Sequence, residues 1–170
     1  MKYLEDYEGE VFKMHVPGEV KFLVCVDSSE ECKTALKFAC MRSRNSKGQV
    51  CILYIIEPKD MQHFAGVVKL MEKEAEEEAN RVIAQLKEDT MNEFNIEIET
   101  IVSYGNKYNK IVDLINEDKT ISILVLGAAP EGKGTNDLIN TFSADLTRSI
   151  HIPLTIVPGN LSKEELEKIT

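Results

Sequence analysis

Short runs of apolar residues alternate along this chain with longer stretches in which apolar residues recur every three or four positions. The short runs predict five β-strands, and the longer stretches predict four α-helices between them. The predicted strands are 21–27, 49–57, 96–104, 122–127 and 153–158, and the predicted helices are 30–44, 66–94, 107–117 and 136–150. Ser162, followed by Glu165, predicts a capping box that opens a further short helix.

Strands that alternate with helices predict an α/β fold, here a single-domain, Rossmann-like, five-stranded parallel sheet with helices on both faces. The third strand alternates isoleucine with glutamate, so we expect it nearer an edge of the sheet. We divide the chain into an N-terminal arm (1–20), a main domain (21–158) and a short C-terminal helical extension (159–170).

The composition is that of a globular protein. Of the 170 residues 43% are hydrophobic, and no apolar run approaches the length of a membrane span. The net charge of −9 repels nucleic acid and anionic lipid, so we expect neither nucleic acid nor a membrane as a partner.

The acidic N-terminus lacks the apolar centre of a signal peptide, which predicts a cytoplasmic location. The spacing of the four cysteines matches no zinc pattern, so we expect no metal site.

The first and fourth predicted strands end at residues suited to ligand binding. If these strands are neighbours, their carboxyl ends form the crevice in which open α/β sheets bind ligands. Asp27 can accept hydrogen bonds from sugar hydroxyls or an amino group, and Gly127 lets a ligand approach the backbone. An alternative interpretation is that Asp27, Ser28 or Ser29 only caps the first helix.

A glycine-rich loop follows the fourth strand. Residues 127–135 narrowly miss the phosphate-loop pattern G-x-x-x-x-G-K-[ST], because Gly134 stands where a magnesium-binding hydroxyl is needed. We therefore reject a phosphate-loop ATPase and keep the loop as a candidate phosphate contact, with a ligand-free crossover loop as the alternative. No acid, base and oxyanion site can be assembled, which predicts that the protein is not an enzyme.

Over about residues 20–158 the chain resembles the universal stress protein family. The resemblance rests on Val-Asp-Ser-Ser at the end of the first strand, Leu-Tyr-Ile-Ile-Glu in the second, Gly105 after the third, and the closing Ile-Pro-Leu-Thr-Ile-Val. It implies an adenine-nucleotide alpha-hydrolase-like fold, a role in stress response, a homodimer formed through the last strand and, in many members, bound ATP. The C-terminal extension and the Gln62–His63 pair resemble a bacterial subgroup with an altered glycine motif.

The family's ATP-binding motif, G-x2-G-x9-G-[ST], is only partly present. Laid on the chain without a gap, its four positions fall on Gly127, Pro130, Asn140 and Thr141. The first glycine and the final hydroxyl are kept. Pro130 removes an N–H donor, and the Asn140 side chain crowds a position where phosphates meet bare backbone.

Other residues complete the predicted ligand site. A shift of the motif would bring Gly132 and Gly134 into use. The resemblance also places Val26 and Asp27 near the base and ribose, and Ile55 in the base pocket. Two hypotheses follow for the crevice. It holds ATP or another adenine nucleotide, or it is vacant or holds another small ligand while the protein works through protein partners.

Overall fold

The structure is a computed structural model, and it describes residues 20–58, 65–134 and 136–170. Within these ranges, strands and helices alternate as the apolar pattern predicts. The strands are β1 (Lys21–Val26), β2 (Gln49–Ile56), β3 (Glu99–Tyr104), β4 (Ile121–Ala128) and β5 (Leu154–Pro158). The helices are α1 (Glu30–Ser46), α2 (Ala65–Phe94), α3 (Lys107–Glu117), α4 (Asp137–Ser149) and α5 (Lys163–Ile169). The predicted N-terminal arm lies outside the described residues except for Val20.

The five strands are parallel and lie in the order β3-β2-β1-β4-β5. In the centre of the sheet Val24 of β1 lies between Ile52 of β2 and Val125 of β4. The prediction that the first and fourth strands are neighbours is confirmed. Since the chain reverses its direction of winding between β1 and β4, a crevice opens at their carboxyl ends.

Successive side chains of the strands point to opposite faces and build two hydrophobic cores. On one face β1 and β2 pack against α1, α2 and α5, through residues that include Val24, Ile52, Leu36, Leu86 and Leu166. On the other face they pack against α3 and α4, through residues that include Leu23, Leu53, Ile111, Ile115 and Phe142. The predicted arrangement of helices on both faces is confirmed.

The strand β3 lies at an edge, as predicted, but it begins later than predicted. The alternation that starts at Ile96 predicts a strand over 96–104, whereas the ladder with β2 begins with Glu99 opposite Cys51. Ile96 and Ile98 pack against the first core ahead of the strand. Their alternation therefore reflects burial of side chains, which does not require ladder hydrogen bonds.

A buried ammonium group closes the amino end of the sheet. Lys21 is only 6% exposed, and its Nζ lies 2.8 Å from Asp118 Oδ2 and 2.6 Å from Glu99 Oε2. Burial alone would lower the pKa of Lys21, but the bonds to Asp118 and Glu99 outweigh it and raise the pKa. Lys21 therefore stays charged and ties β1 to β3 and to the turn that precedes β4.

The C-terminal helix is docked on the domain. The predicted capping box is present, since Ser162 Oγ accepts a hydrogen bond from Glu165 N and the Glu165 carboxylate accepts one from Ser162 N. Leu166 is buried in the first core. Among the described residues, no helix is both long enough and apolar enough to cross a membrane.

Candidate functional site

A cleft of about 490 Å³ opens at the carboxyl ends of β1 and β4, beside the first turns of α1, α3 and α4. We call it the carboxyl-end cleft. Among the sequence-predicted site residues, those that line it are Val26, Asp27, Gly127 and Thr141. The predicted residues that do not line it are Ile55, Pro130, Gly132, Gly134 and Asn140. A groove of about 470 Å³ between α1 and the end of α2 contains no predicted site residue.

The turn after β1 positions a carboxylate in the carboxyl-end cleft. Asp27 Oδ1 accepts a hydrogen bond from Ser29 N at 2.8 Å. Burial alone would raise the pKa of Asp27, but hydrogen bonding from Ser29 outweighs burial and lowers the pKa, with further help from Cys32 and the Lys107 charge. Asp27 is therefore a charged hydrogen-bond acceptor at neutral pH.

Ser29 occupies the N-cap position of α1, but its side chain makes no capping hydrogen bond. Its Oγ is buried close to Asp27 and Cys32 but makes no well-formed hydrogen bond among the described residues. The alternative interpretation of this segment as a simple helix cap is therefore wrong for Ser29. Because the oxygen has almost no accessible surface, it lies below the wall of the cleft, out of reach of a ligand.

Gly127 lines the cleft, and the absence of a side chain there has a structural reason that the sequence does not predict. A Cβ built on Gly127 would lie 2.3 Å from Glu31 O and 3.0 Å from Cys32 N. The first turn of α1 therefore occupies the space beside Gly127, and the glycine is required for this close packing of helix on strand. Ligand approach to the Gly127 backbone, which the sequence predicts, stays a prediction.

The loop after β4 is held closed by Asn136, at the N-cap position of α4. Ala129 N donates to Asn136 Oδ1 at 2.9 Å, and Asn136 Nδ2 donates to Ala129 O at 3.4 Å. One step further along, Lys133 N donates to Pro130 O at 3.0 Å and closes a turn. The N–H groups of Ala129 and Lys133, which could otherwise face a phosphate, are thus bonded within the loop.

The remaining predicted residues have structural surroundings of their own. Gly132 and Gly134 adopt positive φ angles of 75° and 151°, which explains why the turn uses glycine. Ile55 is 6% exposed in the second core rather than at the cleft surface. Asn140 and Thr141 are exposed on α4, and Thr141 Oγ1 donates to Asp137 O at 2.8 Å.

Carboxylates dominate the charge of the carboxyl-end cleft. The acidic residues that line it are Asp27, Glu31, Glu57 and Asp137. Lys107 is the one basic residue among the described residues that line the cleft. Its backbone N donates to Glu57 Oε1 at 3.3 Å, and its Nζ lies 3.6 Å from Glu57 Oε2. The ammonium group is therefore already paired with one of the four carboxylates.

Two thiols and an aromatic ring form the less polar part of the wall. Burial raises the pKa of Cys25 and of Cys32 to about 12, so both thiols are neutral at physiological pH. The ring of Tyr108 packs on Phe142 with centroids 4.8 Å apart. Within the described residues, no three or more His, Cys, Asp or Glu side chains are grouped so that they could hold a metal ion.

Sequence reasoning missed the residues that set the charge and shape of the cleft. These are Glu31, Glu57, Lys107 and Asn136. Lys107 could have been found, because it opens the helix that follows Gly105 and the third strand, and helix starts in this fold face the same crevice. No pattern in the sequence indicates that the Asn136 amide turns back to Ala129.

A family model described as the universal stress protein family matches residues 20–158. The chain belongs to the universal stress protein family. Residues 20–158 hold all five strands and every described residue that lines the carboxyl-end cleft. In a comparison with curated proteins, no sequence matched the chain. The resemblance to a bacterial subgroup stays a prediction, and Gln62–His63 lie outside the described residues.

Solved structures of universal stress proteins share this fold. UspA from Lactobacillus plantarum is 18% identical, with a TM-score of 0.66 over 81% of this chain and 97% of that chain. A universal stress protein family protein from Arabidopsis thaliana with AMP bound is 17% identical, with a TM-score of 0.55 over 86% and 94%. A universal stress protein in complex with cAMP is 19% identical, with a TM-score of 0.54 over 82% and 97%. The fold is therefore the adenine-nucleotide alpha-hydrolase-like fold expected from the sequence.

Proposed function

We propose that this universal stress protein is a non-catalytic, cytoplasmic binding module of the stress response, and that its carboxyl-end cleft holds an adenine nucleotide. The single observation that carries the proposal is the charged carboxylate of Asp27 at the end of β1, on the wall of the cleft. A carboxylate at this position can accept hydrogen bonds from ribose hydroxyls.

The size and walls of the cleft support a nucleoside. Its volume of about 490 Å³ is in the range of small-molecule sites. Val26, neutral Cys25 and the Tyr108 ring give an apolar surface for a base, while Asp27 gives a polar contact beside it. The family relatives with AMP and with cAMP bound support an adenine base as the ligand group.

Isothermal titration calorimetry with adenosine, AMP and cAMP tests the proposal, with GMP as the control ligand. We expect binding of the adenine ligands and a loss of about ten-fold or more in Asp27→Asn, which removes the charge that strengthens a hydrogen bond to ribose. Asp113→Asn, an exposed change on α3 away from the cleft, should leave affinity unchanged. Absence of heat for every adenine ligand up to millimolar concentration would refute the proposal.

A second candidate function is action through protein partners, with the cleft vacant or holding another small ligand. The observation that favours it is the closed loop after β4, in which Ala129 and Lys133 amides are bonded internally. Under this alternative, adenine ligands give no heat, and native mass spectrometry of freshly purified protein shows either the bare chain or a different bound mass.

The edge strand β5 supports a homodimer as the assembly of this module. Within the described residues β5 pairs with β4 alone, and Ile156 on it is 42% exposed. An apolar edge strand of this kind tends to be paired or covered. We propose that a second copy of the chain covers it.

Sedimentation velocity at micromolar concentration tests the dimer. We expect a dimer for the natural chain and a monomer for Ile156→Lys, because a lysine at an edge disfavours pairing between sheets. The matched control is Val102→Lys on β3 at the opposite edge, where Val102 is 39% exposed. A natural chain that sediments only as monomer, or a control that dissociates equally, would remove the dimer through β5.

A further inference from the structure

We infer that the carboxyl-end cleft selects adenine ligands that carry at most one phosphate group, and that Glu31 is the specificity-determining residue that excludes a longer phosphate chain. The inference rests on the proposed function, because it assigns the class of nucleotide to the same cleft. Three features of the described residues carry it.

The first feature is that N–H groups of the loop after β4 are bonded within the loop. In open α/β sheets, phosphates after a strand are held by loop N–H groups and by the start of the following helix. Here Ala129 N is bonded to Asn136 Oδ1, Lys133 N is bonded to Pro130 O, and Pro130 itself has no N–H. These loop groups are therefore not free for a second or third phosphate, which leaves the first-turn N–H groups of α4, beside Asp137, as donors.

The second feature is the position of the Glu31 carboxylate at this loop. The backbone of Glu31 packs against Gly127, and a Cβ built on Gly159 would lie 2.5 Å from Glu31 Cβ. Its Oε1 lies 3.7 Å from the place where Gly134 would carry a Cβ. Gly127 and Gly159 therefore leave room for Glu31 between β4 and the segment after β5. Its negative charge lies beside the loop that would otherwise receive phosphate.

The third feature is the charge at two of the three helix starts beside the cleft, those of α1 and α4. Glu31 lies in the first turn of α1, and Asp137 is the first residue of α4. A carboxylate in the first turn already interacts with the positive end of a helix dipole, so an anionic ligand gains less there. Lys107 does not compensate, because its ammonium group is paired with Glu57.

The charge argument separates short from long phosphate chains. Each added phosphate brings more negative charge near Glu31 and Asp137, whereas the ribose of a nucleoside or of a nucleoside monophosphate can bind Asp27 with at most one phosphate near these carboxylates. Since no group of described side chains can hold a metal ion, a divalent cation would have to arrive with the ligand itself. The test therefore compares ATP with and without Mg²⁺.

Calorimetric titration of the full chain with adenosine, AMP and ATP tests the inference. For the natural chain we expect adenosine and AMP to bind at least about ten-fold more tightly than ATP, both in excess EDTA and in excess Mg²⁺. If ATP or Mg²⁺-ATP binds as tightly as AMP, the inference is wrong while the proposed function stands. If none of the three binds, the proposed function fails and the inference fails with it.

Glu31→Gln identifies the residue responsible, because it keeps the shape of the side chain and removes its charge. We expect ATP affinity to rise about five-fold while adenosine affinity changes by less than about two-fold. Asp137→Asn, at the start of α4, should act in the same direction. It is the variant to use if Glu31→Gln lowers stability. The matched control is Glu30→Gln, an exposed neighbour that does not line the cleft. An unchanged ratio of ATP to adenosine affinity in both cleft variants, or an equal rise in the control, would overturn the inference.

Discussion

Charged side chains from neighbouring elements meet at both ends of the parallel sheet, but the two groups are built differently. At the amino end one buried ammonium, Lys21, lies between two carboxylates that are partly open to water. At the carboxyl end, among the described residues, four carboxylates line the cleft with one ammonium, that of Lys107, which is paired with Glu57. The charges at the amino end are thus paired, while the carboxyl end leaves Asp27, Glu31 and Asp137 without an ion pair among the described residues.

This difference separates a structural polar network from a site. A buried charge that has all its partners ties strands together and needs nothing from outside. Carboxylates without an ion pair on the wall of a cleft leave acceptors that hydroxyl or amino groups of a ligand can bind. The four predictions below test whether the two ends differ in this way, and they are ordered from the largest expected effect to the smallest.

Gly127→Ala tests how closely β4 and α1 pack below the carboxyl-end cleft. The added Cβ would lie 2.3 Å from Glu31 O, so α1 or β4 must shift, and we expect a loss of about 3 kcal/mol in the free energy of unfolding. Urea denaturation measures it. The matched control is Gly66→Ala, a helical site with nothing within 4 Å of the new Cβ, which should be slightly stabilising. Equal effects at the two sites would contradict close packing below the cleft.

Lys21→Met tests the completeness of the amino end. The change keeps the length of the side chain but leaves Asp118 and Glu99 without their cation, and we expect a loss of about 2 kcal/mol in the free energy of unfolding. The full penalty of a buried ion pair is not expected, because both carboxylates contact water. Lys33→Met, which breaks an exposed pair with Glu30, is the control and should cost less than about 0.5 kcal/mol. A small effect for Lys21→Met would show that its network does not tie the strands.

Most of the fold could be predicted from the sequence, because strands and helices place apolar residues at different spacings along the chain. The helix α3 was predicted with its observed bounds, and the neighbouring position of β1 and β4 followed from the rules of open parallel sheets. The start of β3 was not predictable, since Ile96 and Ile98 alternate as a strand would but lie ahead of the ladder.

The site was only partly predictable. Asp27 and Gly127 come together because strand ends are fixed by the apolar runs, whereas the role of Gly127 depends on how closely α1 packs. The Asn136 amide and the Glu31 carboxylate reach the cleft through loop conformation, which local spacing does not encode. Sequence analysis therefore locates the crevice but not its charge balance.

The amino-end network should also give stability a defined dependence on pH. Burial alone would raise the pKa of Asp118, but hydrogen bonds from Lys21 and Thr120 outweigh it and lower the pKa. A carboxyl with a lowered pKa in the folded state contributes stability at neutral pH and loses it as the pH falls through that pKa. We expect Asp118→Asn to cost about 1 kcal/mol at neutral pH and progressively less as the pH falls below about 4 and through the lowered pKa, as measured by urea denaturation across that range.

The pKa of Lys21 is raised rather than lowered, so its contribution to stability is lost at high pH and not at low pH. Its contribution is present at neutral pH and is lost only when the pH rises through its pKa in the folded state. The difference between the natural chain and Asp118→Asn should therefore stay constant from about pH 6 to about pH 9. A difference that persists unchanged at acid pH would show that Asp118 acts through packing rather than charge.

Ser29→Ala gives the smallest and most discriminating effect. Replacing an N-cap serine by alanine usually costs about 1 kcal/mol, but Ser29 makes no capping bond and its Oγ is buried without a partner. We therefore expect the free energy of unfolding to be unchanged or to rise by up to about 1 kcal/mol, while AMP affinity changes by less than about two-fold, because the buried Oγ does not reach the cleft. Ser28→Ala, at the exposed neighbouring position, should change neither quantity. A loss of stability of 1 kcal/mol or more in Ser29→Ala would mean that the hydroxyl is already satisfied within the protein, because removing a bonded group is costly and removing an unbonded one is not. In that case Ser29 would hold Asp27 in a bonded network, as Lys21 holds its two carboxylates at the amino end, and less of the Asp27 carboxylate would be left for a ligand.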